Sequence, residues 1–304
     1  MKDSKKNIVK RIGLLLCLLL LNPIGGITNV QADQSVLFAP PAPSTPSAPL
    51  SQDGRTQDPV SKKDSERRLA IIIDDLGNSM GGTEEILNLP VKVTVAVMPF
   101  MRSTEQDARR AHELGHDVLI HMPMEPKQGK PEWLGPGAIL SGMTDEEVRK
   151  KVEEAIDNVP FAKGINNHMG SKITGDDRIM AVILQVCRER GLFFVDSKTN
   201  YWSVTSQISE KMGMPRLSND IFLDDVHNTR HIAGQLNKIQ ELLDQKGKCV
   251  AIGHVGVKGA ITAATLKQYV PEFQARGVRF IGISELAKEQ KGPGTEPGRG
   301  VTSP

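Results

Sequence analysis

From Leu69 onward, short apolar runs alternate with longer stretches in which apolar residues recur every three or four positions. The short runs are rich in Val and Ile and are often apolar on consecutive residues, which is typical of strands covered on both faces. The pattern predicts strands at Leu69–Ile73, Val91–Val97, Asp117–Ile120, Gly164–Asn166, Leu192–Val195, Ile221–Leu223, Cys249–Ile252 and Val278–Ile281. It predicts helices at Thr83–Leu89, Thr104–Leu114, Asp145–Asn158, Asp176–Arg190, His231–Gln245 and Ala260–Arg276.

Local signals at the helix ends support this pattern. Thr144, with Glu147 three residues later, is a capping-box signature at the start of the third helix. A glycine, which suits the left-handed backbone at a helix end, directly follows four helices: Gly115, Gly191, Gly247 and Gly277. The repetition of strand, helix and glycine predicts an α/β fold, a distorted (β/α) barrel of seven or eight mainly parallel strands.

The two ends of the chain differ from this pattern. Residues 1–32 combine a basic start, an apolar run and a small-residue cleavage pattern, which predicts a signal peptide. The Pro- and Ser-rich residues 33–66 predict a disordered linker, and residues 288–304 predict a disordered tail. Residues 67–287 remain as the folded domain. We therefore expect an exported protein, periplasmic or extracellular, with membrane attachment only if the leader stays uncleaved.

Charge and cysteine content narrow the class of partner. The formal net charge is +2, and no basic stripe follows the chain, so we expect no nucleic-acid partner. Cys187 and Cys249 remain after removal of the leader. Export permits a disulfide between them, whereas their helix and strand settings fit two buried thiols equally well.

Polar residues follow most of the predicted strands, where the chemistry of a parallel barrel is located. They are Asp74 and Asp75, His121 and Glu125, Asn166 to Ser171 with His168, Asp196, Asp224 and Asp225, and His254. Each alone fits a helix cap or a structural hydrogen bond. Their coincidence at one edge indicates a functional site.

The adjacent aspartates Asp74 and Asp75 are the most informative feature. Two neighbouring carboxylates both stay ionised when a cation or a strong donor lies between them. Aspartate together with histidine suits Zn²⁺ or a similar divalent ion. One aspartate would bind the metal and the other would act as the base toward water. The alternative is that Asp75 caps the next helix and Asp74 lies at the surface.

Four segments in order resemble the divergent polysaccharide deacetylase family over about Leu69 to Leu286. They are Ile72 to Asp75, His121-Met-Pro-Met, Asn166-Asn-His168-Met-Gly-Ser171 and Ala251-Ile-Gly-His254. The resemblance implies that Asp74 is the general base and that Asp75 and His121 are metal ligands. It also implies that His254 is the acid that protonates the leaving group.

The sequence departs from the common pattern of these deacetylases at two places. Their second ligand histidine, four residues after the first, is replaced by Glu125, and their third motif is replaced by the segment around His168. We expect His168 to supply the missing imidazole, with Glu125 as the alternative ligand. Asp196 and Asp225 are candidates to orient a ligand imidazole from behind.

The resemblance implies a metal-dependent hydrolase, with Zn²⁺ as the expected cofactor, that removes N- or O-acetyl groups from an envelope or extracellular polysaccharide. The altered motifs leave a second reading open, a non-catalytic carbohydrate-binding or envelope scaffold protein that retains the barrel. Trp133 and Trp202 lie in loops that leave the site edge. Each fits stacking on a sugar ring or packing over the edge of the core.

Overall fold

The computed structural model of the protein describes residues 66–290. The predicted signal peptide, residues 33–65 of the predicted linker and residues 291–304 of the predicted tail lie outside the described residues. Within residues 66–290, no helix is both long enough and apolar enough to cross a membrane.

The strands of the domain are all parallel and form one sheet. They are β1 (Arg67–Leu76), β2 (Thr94–Val97), β3 (Asp117–Met124), β4 (Ala162–Met169), β5 (Phe193–Asp196), β6 (Leu217–Ser218), β7 (Ile221–Phe222), β8 (Lys248–His254) and β9 (Val278–Ile281). Their order is β6-β5-β4-β3-β2-β1-β8-β7, and β9 pairs with the first residues of β1.

The two edge strands of this order, β6 and β7, are separated in sequence only by Asn219 and Asp220. Such a short connection requires the sheet to curl until its edges approach each other. The Asn219 amide donates to the Asp196 carbonyl and the Asp220 amide to the Val250 carbonyl, both at 2.9 Å. These two residues therefore bridge the seam, and the predicted α/β barrel of parallel strands is confirmed.

Helices follow most of the strands. They are α1 (Thr83–Leu87), α2 (Thr104–Glu113), α3 (Asp145–Asn158), α4 (Asp177–Glu189), α5 (Thr205–Lys211), α6 (Thr229–Lys246), α7 (Gly259–Ala275) and α8 (Ile283–Gln290). The capping box predicted at Thr144 and Glu147 is formed. The sequence pattern missed α5, β6 and α8.

Alternation along the strands creates two apolar layers. One set of side chains packs inside the barrel: Ala70, Ile72, Ala96, Leu119, Val195, Val250 and Ile252. The intervening residues, such as Ile71, Ile73, Val95 and Ile120, pack outward against the helices. Both faces of the sheet are therefore covered by apolar packing, which explains the continuous apolar runs in the sequence.

The last helix, α8, closes the N-terminal end of the barrel. Ile283, Leu286 and Ala287 join the inner cluster. The helix start is held by side chains from other strands, because the Ser284 amide donates to Asp117 Oδ2 and the Ile283 amide to Thr94 Oγ1, both at 2.9 Å. The helix continues to Gln290, so the predicted domain end at residue 287 falls inside it.

We expect Leu286→Ala to lower the free energy of unfolding by about 2–5 kcal/mol, because it leaves a cavity in the inner cluster. Urea denaturation of the variant and the parent protein measures the change. Lys288→Ala, on the exposed side of the same helix, is the control and should change stability by less than about 0.5 kcal/mol. Equal effects would mean that α8 does not close the core.

Both cysteines in the described part of the chain are buried free thiols. Burial raises the pKa of each, Cys187 and Cys249, to about 12. The sequence left open a disulfide or two buried thiols, and the structure contains two buried thiols.

Candidate metal centre and active site

At the C-terminal ends of the strands, the inner face of the barrel changes from apolar side chains to polar ones, which line a pocket. On β1, Asp74 follows Ala70 and Ile72 at the same side-chain parity, and on β3 His121 follows Leu119. On β8, His254 continues the series of Val250 and Ile252. Because strand side chains alternate between faces, the apolar interior residues determine which polar residues point into the pocket.

Asp75 breaks this alternation, since a regular strand would turn it away from its neighbour Asp74. The register between β1 and β2 shifts between Ile73 and Leu76, and Asp75 has a left-handed φ of 71°. A bulge of this kind redirects a side chain. It allows two consecutive carboxylates to face the same pocket.

Two residues anchor the loop that follows the bulge: Ser103, which directly precedes α2, and Asp107, which lies in α2. The Gly77 amide donates to Asp107 Oδ2 at 2.9 Å, and the Ser79 amide donates to Ser103 Oγ at 2.8 Å. The Ser103 hydroxyl in turn donates to Asp107 Oδ2 at 2.9 Å. Ser79 also has a left-handed φ of 50°, so this partly buried network holds a strained backbone close to the carboxylate pair.

Asp75, His121 and His168 converge from β1, β3 and β4, with one ligand atom of each within 4.8 Å of the others. Asp75 Oδ1 lies 3.3 Å from His121 Nε2 and 3.1 Å from His168 Nδ1. The two imidazole nitrogens are 3.1 Å apart. Three potential ligand atoms therefore surround one small space.

The hydrogen bonds of the imidazoles show what this space can hold. His121 Nδ1 contacts Asn166 Oδ1 at 2.9 Å, and His168 Nε2 contacts the Trp133 carbonyl at 3.0 Å. Both partners are acceptors, so these nitrogens carry the protons. In the neutral rings, His121 Nε2 and His168 Nδ1 then present lone pairs, as does the buried Asp75 Oδ1, which has no hydrogen-bond donor. Three converging lone pairs repel one another, and a bound divalent cation relieves that repulsion.

The charges around this space shift the titration of each group. Burial alone would raise the pKa of Asp75, but the imidazoles of His121 and His168, in their protonated form, outweigh burial and hold that pKa well below its usual range. Burial would likewise lower the pKa of His121, but the two aspartates outweigh it and raise that pKa. An ionised Asp75 suits cation binding.

Asp74 occupies a different position beside the cluster. Its Oδ1 accepts a hydrogen bond from Asn166 Nδ2 at 2.8 Å, and its Oδ2 lies 3.7 Å from His121 Nε2. Burial raises the pKa of Asp74, against the opposing effect of His121 and His254. A carboxylate with a raised pKa and one free oxygen is suited to accept a proton.

His254 lies on the other side of Asp74, since the two residues pair across the β1–β8 ladder. Its Nδ1 contacts Asp224 Oδ1 at 2.8 Å, while Asp224 Oδ2 accepts from the His254 amide at 2.8 Å and from Thr262 Oγ1 at 2.7 Å. Burial acts to lower the pKa of His254, but Asp224 and Asp74 raise it to about 9. At neutral pH the ring is therefore an imidazolium that can donate a proton.

The sequence model of the divergent polysaccharide deacetylase family matches residues 71–287, which include every residue of this centre. The chain belongs to this family.

Relatives of the chain share substantial identity. YibQ of Escherichia coli K12 is 35% identical over 187 residues, which are 62% of this chain. The chain spans 58% of the length of YibQ. An uncharacterised protein of Haemophilus influenzae is 32% identical over 231 residues, covering 75% of this chain and 79% of its own length.

The structure resembles that of the uncharacterised protein ATU2773 from Agrobacterium tumefaciens C58, with a TM-score of 0.68 and 22% identity. The match covers 73% of this chain and 89% of the other. At this identity it shows a shared fold.

Three residues that were predicted to lie near the metal centre contact other groups instead. They are Glu125, Asp196 and Asp225. Glu125 accepts from Lys172 Nζ at 2.7 Å and from the Ser141 amide at 2.6 Å, and these partners lower its pKa to about 2. It is therefore engaged elsewhere, and His168 takes the position beside His121. Asp196 accepts from the Lys198 amide at 2.8 Å and lies 3.4 Å from Lys198 Nζ.

Asp225 also requires a correction, because its carboxylate faces His231 at the start of α6. Its neighbour Asp224 is the residue that orients an imidazole, and that imidazole belongs to His254. The sequence pattern could not distinguish the two, because Asp224 and Asp225 lie after the end of β7, where the alternation of strand side chains no longer applies.

No role for Asn166 follows from the sequence pattern, yet its side-chain amide links the candidate base to a candidate ligand. Its Oδ1 sets the tautomer of His121, and its Nδ2 holds Asp74. One signal was present in the sequence, because Asn166 stands two residues before His168 on the same face of β4. The Trp133 carbonyl, in contrast, comes from a long loop and left no signal.

We expect Asp224→Asn to lower the pKa of His254. In the parent protein His254, with its pKa of about 9, stays protonated at lower pH and loses its proton above that value. Loss of the Asp224 charge removes the main partner that raises this pKa, so the midpoint of the titration should fall by about one pH unit or more. NMR titration of the His254 ring in the parent and the variant measures the change. An unchanged midpoint would mean that Asp224 does not control the protonation of His254.

Proposed function

We propose that this protein is a divalent-metal-dependent hydrolase that removes N- or O-acetyl groups from a polysaccharide. The observation that carries the proposal is the convergence of Asp75, His121 and His168, with Asp74 and His254 adjoining it. Two imidazoles and one carboxylate form a donor set suited to Zn²⁺. Membership of the divergent polysaccharide deacetylase family supports the substrate class.

Asp75, His121 and His168 would hold the ion. When bound, the ion supplies Lewis acidity, which polarises an acyl carbonyl and makes water a better nucleophile. Asp74 accepts the proton from the attacking water through its free Oδ2, while Asn166 fixes its other oxygen. The residue order on β1 thus separates binding of the ion from transfer of the proton.

His254 donates a proton to the departing amine or alcohol. Its Nδ1 is held by Asp224, so Nε2 is the atom that gives up the proton. Asp74 and His254 are paired on neighbouring strands, which supports their action as base and acid on the same substrate. Proton acceptance at Asp74 and proton donation at His254 complete the transfer of the acyl group to water.

Acyl transfer fits this arrangement better than cleavage of a glycosidic bond. Glycosidases place two carboxylates on opposite sides of the scissile bond. Here Asp74 and Asp75 are consecutive residues, and Asp75 faces two imidazoles. The second reading, a non-catalytic carbohydrate-binding scaffold, arose from the histidine missing at the position of Glu125 and from the altered third motif. The position of His168 beside His121 and Asp75 supports an imidazole ligand from His168, and so favours the hydrolase.

The predicted signal peptide leads us to propose that the reaction takes place outside the cytoplasm, on an envelope or extracellular polysaccharide. Zn²⁺ is the proposed ion because imidazole and carboxylate ligands suit it.

Two measurements on the full chain test the proposal. Isothermal titration calorimetry should show one Zn²⁺ bound per chain. The Zn²⁺-loaded protein should release acetate from N-acetylglucosamine oligomers or from acetylated xylose oligomers. Binding of oligosaccharide without binding of Zn²⁺, Co²⁺ or Ni²⁺ would favour the scaffold reading. Metal binding together with hydrolysis of phosphoesters or peptides, and no acetate, would assign another reaction to the same centre.

A further inference from the structure

Three aromatic side chains are strongly exposed beside the metal centre. The exposed fractions are 59% for Trp133, 92% for Tyr201 and 73% for Trp202. The chain has only two tryptophans, and both belong to this group. Exposed aromatic side chains grouped on one face of a protein commonly mark a binding surface. We call these three residues the aromatic platform.

The platform is continuous with the centre through β4. Trp133 lies in the loop after β3, and its carbonyl contacts His168 Nε2 at 3.0 Å. Tyr201 and Trp202 lie in the loop after β5. That loop is tied to the end of β4, because Thr199 Oγ1 donates to the Met169 carbonyl at 2.6 Å, one residue after His168. The platform therefore borders the His168 side of the pocket.

The Tyr201–Trp202 tip stands on a firm base. Asn200 is buried, and its Oδ1 accepts from the Trp202 amide at 3.0 Å and from Lys127 Nζ at 3.4 Å. The Val204 amide donates to the Thr174 carbonyl at 2.9 Å on the far side of the tip. The two rings meet edge to face, with centroids 5.2 Å apart. These contacts anchor the backbone of the loop, and both rings extend from it into solvent.

The shape of these side chains indicates the ligand. Flat aromatic faces pack against the C–H faces of sugar rings, and the ring quadrupole favours those weakly positive hydrogens. On the opposite side of the pocket, the loops after β7 and β8 expose Val226 and Val257. These aliphatic side chains lack a flat face. The most exposed aromatic faces therefore lie on the His168 side, which is suited to successive sugar rings.

We propose that the platform binds the extended part of a polymeric glycan, which runs from the metal centre across the end of β4 to Tyr201 and Trp202. This inference rests on the proposed function and narrows its substrate. The enzyme acts on sugar units within a chain of several residues, and a single acetylated sugar lacks most of the binding surface.

Intrinsic fluorescence tests the platform directly, because both tryptophans lie on it. The full chain is titrated with N-acetylglucosamine, with its hexamer, and with acetylated xylose monomer and hexamer. We expect a fluorescence change with at least one hexamer, at about tenfold lower concentration or less than with its monomer. The double variant Tyr201→Ala/Trp202→Ala should weaken hexamer binding about tenfold, as measured by calorimetry, and leave monomer binding unchanged.

Phe161→Ala is the matched control, since Phe161 is an exposed aromatic residue that precedes β4 at the opposite end of the strand. It should leave hexamer binding unchanged. Thermal unfolding of all variants checks that they fold.

The outcomes separate this inference from the proposed function. Platform-dependent binding of a hexamer without acetate release supports the platform and contradicts the hydrolase. Acetate release with the same KM for monomer and hexamer, unaffected in the double variant, supports the hydrolase and overturns the platform. Failure of every hexamer to bind also overturns it, as does a fluorescence shift with lipid vesicles alone, which would assign the surface to a membrane.

Discussion

His168→Ala is expected to lower the affinity for Zn²⁺ by more than about 100-fold, because loss of a direct ligand should exceed the 10- to 100-fold typical of its supporting partners. His168 Nδ1 is one of three lone pairs around the space for the cation, 3.1 Å from Asp75 Oδ1. His121→Ala and Asp75→Ala should have effects of similar size. Isothermal titration with Zn²⁺ measures all three.

Glu125→Ala is the matched control for this series. Its carboxylate is bound to Lys172 and the Ser141 amide, so its removal should leave the affinity for Zn²⁺ unchanged. If Glu125→Ala instead lowered the affinity for Zn²⁺ and His168→Ala left it unchanged, Glu125 and not His168 would be the ligand. Because Zn²⁺ should bind only the folded chain, it should also raise the Tm of the parent and not of His168→Ala.

Asp74→Asn is expected to lower kcat by about 10²- to 10⁴-fold, the usual contribution of a general base. An amide cannot take up the proton, yet its oxygen can still accept from Asn166 Nδ2, so the pocket should keep its geometry. Affinity for Zn²⁺ should therefore persist. Acetate release under single-turnover conditions, together with metal titration, separates these two effects.

Asp225→Asn serves as the control, because Asp225 is exposed and pairs with His231 outside the centre. It should retain full activity. Full activity in Asp74→Asn would remove Asp74 from the role of base.

The fold was largely predictable because both faces of the sheet are buried. The apolar runs, the capping box at Thr144 and the glycines after helices are local signals, and they survive in the structure. The elements that the sequence missed have weak local signals. The strand β6 has two residues, and α8 is stabilised by Asp117 and Thr94 from distant strands.

The candidate site was predictable to the level of strand ends but not to the level of side-chain direction. The rule that chemistry follows parallel strands selected Asp75, His121, His168 and His254. It could not distinguish Asp224 from Asp225, because that choice depends on which residue faces inward. The bulge at Asp75 left no pattern in the sequence, since its φ of 71° is held by tertiary contacts.

The position of α8 has a consequence for how the chain acquires its native state. The contact of Asp117 with Ser284 joins residues that are 167 positions apart, and such distant pairings slow folding. The helix is also the last described element that the ribosome produces. Until α8 docks, the N-terminal end of the barrel is open to water. A nascent chain that lacks α8 would therefore expose apolar surface, which promotes aggregation.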